Sequence, residues 1–191
     1  MPGLALLILI TVALGFEFIN GFHDTANAIA VSIHTGALSA GRAVALAAVM
    51  NLLGAFASEN VARTISGELI SAAIDEYTII AALIAAIIWN LFTWYLGMPA
   101  SSSHALIGAL IGASVVFTGS TDAVLWKNLV LKVVLPLFLC PPAGFVAGAL
   151  ASLFIKKENR IMQIVASAFV AFSHGENDAQ KTMGIITLAL A

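Results

Sequence analysis

The chain has 191 residues, of which 61% are hydrophobic and only 9% charged, with a mean hydropathy of +1.03 and a formal net charge of -2. A soluble domain carries roughly 25% charged residues, so the composition is that of an integral membrane protein, and the small net charge argues against nucleic acid or a polybasic lipid-binding patch as partners. One cysteine, Cys140, excludes an internal disulfide and any multi-cysteine metal site; beside Leu139 and Pro141-Pro142 it reads as a buried packing residue.

The apolar runs are continuous, whereas the strands of a membrane barrel would alternate apolar and polar residues. The expected fold class is therefore all-α. The N-terminus, Met1-Pro2-Gly3, lacks the basic region of a secretory signal, so the first apolar run is read as part of the mature protein. Crossing the hydrocarbon core takes about 20 mostly apolar residues. In chain order the candidate spans are residues 4 to about 33, interrupted by a polar segment, then 43–58, 78–96, 105–117 and 129–155. A last span starts at Ile161 and is expected to break at a second polar segment. The 105–117 span is short and suits a half-helix or a re-entrant element unless the preceding serines begin it.

Basic residues in short loops mark the cytoplasmic side. Lys156, Lys157 and Arg160 place one loop there, and Arg42 places another. Counting back puts the N-terminus and residues 59–76 outside, residues 97–104 facing in, and Asp122 with Lys127 and Lys132 outside. Five crossings separate the starts of the two polar-motif helices. An odd number means that the second enters the membrane from the opposite side, as in an inverted repeat. Residues 1–160 form the first repeat on this reading, and 161–191 the start of a second, truncated one within a chain roughly twice as long.

The polar segments match each other. Asn20-Gly21-Phe22-His23-Asp24-Thr25-Ala26-Asn27 and His174-Gly175-Glu176-Asn177-Asp178-Ala179-Gln180-Lys181 each place an Asp three residues after a Gly, among amide side chains. A carboxylate at membrane depth costs about 3 kcal/mol even on the lenient insertion scale, and the cost is met here twice. Duplicated, Gly-interrupted polar breaks in hydrophobic segments are the signature of a secondary transporter built from repeats. Gly21 is expected to let the helix unwind, with Asp24 and Thr25 capping a new half-helix whose N-terminus suits an anion. Asp24 would repel that anion unless protonated or bound to a cation, so anion and cation are expected together. The plainer alternative is a helix cap at the membrane surface.

Ser101-Ser102-Ser103-His104 follows Pro99 and opens an apolar helix. The hydroxyls serve either as an ordinary cap or as ligands of a tetrahedral oxyanion, and His104 either caps or moves protons. Glu17 snorkels, pairs with a buried partner or acts directly. Asn51 and Asn90 read as hydrogen-bonding glue between helices, Trp94 and Tyr95 as interfacial anchors, and Glu59 and Arg63 as an i,i+4 pair. An intramembrane serine hydrolase is disfavoured, since adjacent Ser and His on a helix are poorly placed as nucleophile and base. A channel is disfavoured by paired anion and cation determinants in broken helices, and a half-size antiparallel dimer by the unfinished last helix.

Gly21-Phe22-His23-Asp24-Thr25-Ala26-Asn27-Ala28, Pro99-Ala100-Ser101-Ser102-Ser103-His104 and Ser173-His174-Gly175-Glu176-Asn177-Asp178 resemble the signature motifs of the inorganic phosphate transporter (PiT) family. The resemblance runs through the chain and implies a phosphate symporter, not an enzyme, multi-pass in the cell inner membrane, with two inverted repeats and discontinuous helices. It implies Na⁺ or H⁺ as coupling ion and no other cofactor, with a divalent metal carried alongside phosphate in some bacterial members. Inorganic phosphate and lipid are the implied partners, and a homo-oligomer is left open. Carried over by position, Asp24 and Asp178, with Asn20, hold the coupling cation, and the same two Asp residues would meet a metal. Thr25, Asn27, Ser101, Ser102, Ser103 and Asn177 would contact phosphate, and Lys181, a departure from the pattern, would neutralise it directly. Glu176 departs from the small residue usual there, and Gln180-Lys181 replaces the Ala-Asn of the first copy. Another oxyanion, such as sulfate, is the alternative substrate.

Overall fold

The computed structural model describes residues 2–71, 74–155 and 159–190. Its helices are α1 (Pro2–Asp24), α2 (Ala26–His34), α3 (Ala40–Ala55), α4 (Asn60–Gly67), α5 (Glu76–Tyr95), α6 (Ser102–Thr118), α7 (Trp126–Leu129), α8 (Leu135–Phe154) and α9 (Arg160–Leu190). A π-turn over Val130–Val134 joins α7 to α8. It ends two residues before Pro136, which has no N–H to donate and would crowd a regular helix.

Among the described residues, three stretches are long and apolar enough to cross a membrane: Gly3–His34, Glu76–Tyr95 and Trp126–Phe154. The pair α3 and α4, bent by 62° at its break, makes a fourth if counted as one span. The long α9 carries Glu176, Asp178 and Lys181 and is not among them.

The sequence places the helix breaks differently from the fold. Between α1 and α2 only Thr25 leaves the helix, and it keeps right-handed helical angles (φ -59°, ψ -30°) without capping through its side chain. The N–H groups of Thr25 and Ala28 are used locally, bonding Gly21 O and Thr25 O at 3.0 and 3.1 Å. Gly21 therefore does not unwind the helix, and neither Asp24 nor Thr25 caps a new one. The second motif lies inside α9, which runs unbroken through Gly175.

Gly175 has a different use. A Cβ there would stand 2.2 Å from the Asn51 carbonyl oxygen, and one on Gly54 would stand 2.1 Å from that of Phe172. The two glycines let α3 and α9 approach backbone to backbone, the contact by which small residues join helices where lipid gives no hydrophobic drive.

The real discontinuity is residues 56–59, between α3 and α4. Gln180 of α9 closes it: its Oε1 accepts from Val61 N at 3.0 Å and Ala62 N at 3.4 Å, and its Nε2 donates to Ser58 O. Residues 59–76 thus do more than form an outer loop, since Ile65, Leu69 and Ile70 join the core with Leu9, Phe16, Leu83 and Leu106. The outer face of α4 keeps the Glu59–Arg63 pair, at 3.0 Å.

Contacts fix the relative senses of the helices. Glu17 meets Thr182, Asn20 meets Asp178, Ser32 meets Ser167 and Thr35 meets Gln163. Every step forward along α1–α2 is matched by a step back along α9, so the helices carrying the two motifs are antiparallel. Asn51 meets His174 and Val61 meets Gln180, so α3–α4 runs parallel to α9.

Arg160 Nε donates to Ala37 O at 2.9 Å, which puts its loop at the same end as the α2–α3 turn before Arg42; Lys156 and Lys157 lie outside the described residues. At the opposite end, Ile70 bridges Val124, and Ser71 N donates to Ala123 O at 2.8 Å. Asp122 therefore shares an end with residues 68–71, as the charge count expects. Asp75 begins α5 there, its carboxylate accepting from the Thr78 N–H at 2.8 Å and hydroxyl at 2.5 Å. These bonds hold its carboxyl below the usual range.

The turn between α5 and α6 stays well short of the Arg160 end. Trp94 packs edge-on against Phe22, ring centroids 5.4 Å apart, and Ser102 bonds Asp24. The α1–α2 span continues about ten residues beyond that level, roughly 15 Å of helix. Gly97 (φ 64°) ends α5 and Gly119 (φ 68°) ends α6, in the left-handed conformation that glycine adopts without strain. In α8 no residue is buried, and Cys140 is exposed. Cys140 is therefore not a core residue, because no other described element packs over its helix.

Candidate functional site

The two motifs meet where α1, α6 and α9 converge. Asn20 is fully buried and donates through Nδ2 to Asp178 Oδ2 at 3.0 Å. Asp178 Oδ1 lies 2.8 Å from Lys181 Nζ, one turn on in α9. The same ammonium donates to Ser102 Oγ at 3.1 Å, and Ser102 donates to Asp24 Oδ2 at 2.7 Å. One continuous chain of polar contacts therefore links Asn20, Asp178, Lys181, Ser102 and Asp24. Asp24 Oδ1 is 2.7 Å from His23 Nδ1.

His174 completes the cluster. Its Nδ1 is 2.6 Å from Asn51 Oδ1, while Asn51 Nδ2 donates to Ala47 O. The amide oxygen is thus the acceptor, and Nδ1 carries the proton. The buried Nε2 stands 3.0 Å from Asp178 Oδ2 without hydrogen-bond alignment. One ligand atom each from Asp24, His174 and Asp178 fall within 4.8 Å of one another, and two carboxylates with an imidazole suit a divalent cation.

Sequence reasoning missed His174, Gln180 and Thr182. The repeat itself carried a signal for the first, since His174 falls at the place of Asn20 when Gly175 is set on Gly21. Thr182 donates to Glu17 Oε2 at 2.6 Å, so Glu17 has its buried partner. Asn51 bonds across helices as expected. Asn90 is fully buried with neither polar atom partnered among the described residues, so it is not the glue that its position suggested.

Other expected residues stand apart. Ser101 is exposed and caps α6, accepting from His104 N at 3.3 Å, with the His104 ring 2.7 Å away. Its hydroxyl is spent at the helix start, away from the cluster. Asn27 is exposed and makes no side-chain hydrogen bond among the described residues. Asn177 is exposed and bonds Ser173 O of its own helix at 2.8 Å. Thr25 is half-buried. Ser103 and Lys181 border a cavity of about 370 Å³, with Asn60, Thr64, Ile107 and Lys132 on its walls. Lys181 is 2% exposed, and its ammonium is directed at Asp178 and Ser102.

A bundle of apolar helices enclosing paired carboxylates, a lysine and a serine-headed helix end defines an integral membrane protein with a polar centre. Residues 20–161 match the phosphate transporter family, and the chain belongs to that family. It is 47% identical over 207 residues to the "Probable low-affinity inorganic phosphate transporter" of Bacillus subtilis (strain 168), covering 98% of this chain and 60% of that protein. Against the protein of the same description from Mycobacterium tuberculosis (strain ATCC 25618 / H37Rv) the identity is 44%, over 97% of this chain and 47% of the relative. The chain thus spans about half the length of these relatives. A solved structure, "The sodium-dependent phosphate transporter", superposes with a TM-score of 0.81 over 97% of this chain and 67% of that one at 22% identity, a likeness of fold.

Proposed function

We propose that this chain is the phosphate-binding portion of a symporter that moves inorganic phosphate with a cation, Na⁺ or H⁺, across the cell inner membrane by alternating access. The observation that carries this reading is the meeting of the two motifs through Asn20 and Asp178 on antiparallel helices. Residues 1–160 act as the first repeat and 161–191 as the opening of the second, the α9 motif entering in the opposite sense to that of α1.

Asp24 and Asp178 are the carboxylates that hold the site's positive charge, with Asn20 orienting Asp178. A divalent metal carried with phosphate would find Asp24, His174 and Asp178 already grouped. Phosphate is placed at the start of α6. The first N–H groups of a 17-residue helix point there, and such an end attracts anions. Ser102 and Ser103 add hydroxyls, and Thr25, next to Asp24 in the chain, is a further candidate. The relatives' printed names support phosphate over sulfate, and they describe transport, not catalysis.

The test is radiolabelled phosphate uptake by transport-deficient cells, with Na⁺ and proton gradients imposed separately. Uptake driven by one gradient and indifferent to sulfate is expected. Asp24→Asn and Asp178→Asn should each abolish it while the protein still reaches the membrane. Near-normal uptake in both variants would sink the cation role, and no uptake by the parent protein under either gradient would remove phosphate as the substrate.

A further inference from the structure

We infer that Lys181 is a tethered cation: its ammonium takes the place beside Asp178 that an exchangeable cation would otherwise occupy, and so lowers by one the cations moved with each phosphate. The inference rests on the symport reading above and assigns to Lys181 a part other than contact with phosphate.

Three observations carry it. The first is register. With Gly175 set on Gly21 and Asp178 on Asp24, Lys181 falls on Asn27, so the copies differ here by a full charge at equivalent positions. The second is placement. Asn27 is exposed, whereas Lys181 is 2% exposed, with its ammonium 2.8 Å from Asp178 Oδ1 and 3.1 Å from Ser102 Oγ. Anionic and hydroxyl oxygens around a compact positive charge are the surroundings that a bound alkali cation would require. The third is charge balance. A buried charge is tolerated when paired, and Lys181 pairs Asp178 permanently, so that carboxylate has no need of an ion from solution. Asp24 has no such partner fixed to it. Among the described residues its oxygens bond Ser102 and the His23 ring and no ammonium or guanidinium, which leaves it as the carboxylate at which an exchangeable cation can come and go. Glu17, the remaining acid near Asn20, is tied to Thr182.

The experiment uses purified protein in proteoliposomes and in detergent. Lys181→Asn restores the residue of the first copy and leaves Asp178 unpaired. It should gain a Na⁺- or Li⁺-dependent rise in thermal stability beyond that of the parent, and its transported charge per phosphate should rise by one. Lys181→Arg should keep the parent ratio. If Lys181→Asn does not fold, Asp178→Asn/Lys181→Gln removes the pair together and should show no cation-dependent gain over the parent. An unchanged ratio and no new cation stabilisation in Lys181→Asn, or new stabilisation in the double variant, would overturn the inference. Failure of the symport reading looks different, since the parent protein itself would then move no phosphate under either gradient.

Discussion

Asn20 and Asp178 are separated by 158 positions and joined by one buried hydrogen bond of 3.0 Å. Each belongs to a different copy of the duplicated motif, so the bond is where the repeat in the sequence becomes one site in space. Hydrogen bonds to charged groups contribute about 1.5–3 kcal/mol. Asn20→Leu should therefore lower phosphate uptake about tenfold or more with membrane insertion unchanged, as measured by initial rates normalised to surface-labelled protein. Asn20→Leu at the parent rate would detach this bond from transport.

The glycines of the two motifs should respond in opposite ways to the same methyl group. Gly175→Ala drives a Cβ against the Asn51 backbone, and overpacking of this kind costs about 3 kcal/mol. Nothing lies within 4 Å of a Cβ at Gly21, and in a helix interior alanine is favoured by about 0.5–1 kcal/mol. Thermal unfolding in detergent should show a large fall in Tm for Gly175→Ala and an unchanged or higher Tm for Gly21→Ala. Equal behaviour of the two would contradict the close approach of α3 and α9.

Gln180 holds the start of α4, and losing its acceptor should loosen that helix. An unsatisfied buried donor costs about 1–3 kcal/mol. Gln180→Leu should speed hydrogen exchange at Val61 and Ala62, whereas Gln180→Glu, which keeps an acceptor, should largely preserve their protection.

Asp75 ties stability to acid. The Thr78 hydroxyl and N–H hold its carboxyl below the usual range, so the folded pKa lies under the unfolded value of about 3.9. The stabilisation is present above that unfolded value and is lost as pH falls through the folded one. Asp75→Asn keeps a capping oxygen and should flatten the acid limb of the stability curve, read as Tm between about pH 6 and pH 3.

The membrane class, the helix order and the correspondence of the two motifs were legible because composition and a repeated motif report them directly. So was the shared end of Arg160 and the α2–α3 turn. The position of the breaks was not. A glycine serves equally to unwind a helix or to admit a neighbour, and only the partner backbone tells Gly21 from Gly175. The core role of Ile65 and Leu69 was hidden because Glu59 and Arg63, at the start of the same segment, label it as solvated when read alone. Cys140 misled for the opposite reason, since apolar neighbours do not say whether protein or lipid will cover them.

The antiparallel register of α1–α2 against α9 has a kinetic consequence. Turned end over end, the pair exchanges Asn20 with His174 and carries each motif carboxylate onto the other. On the transport reading proposed above, a solute arriving from either compartment would meet a matched carboxylate among different neighbours, since along the aligned motifs only Gly21/Gly175 and Asp24/Asp178 coincide. A bias of influx over efflux can then arise from the gradients and from those differing neighbours, Lys181 against Asn27 foremost among them.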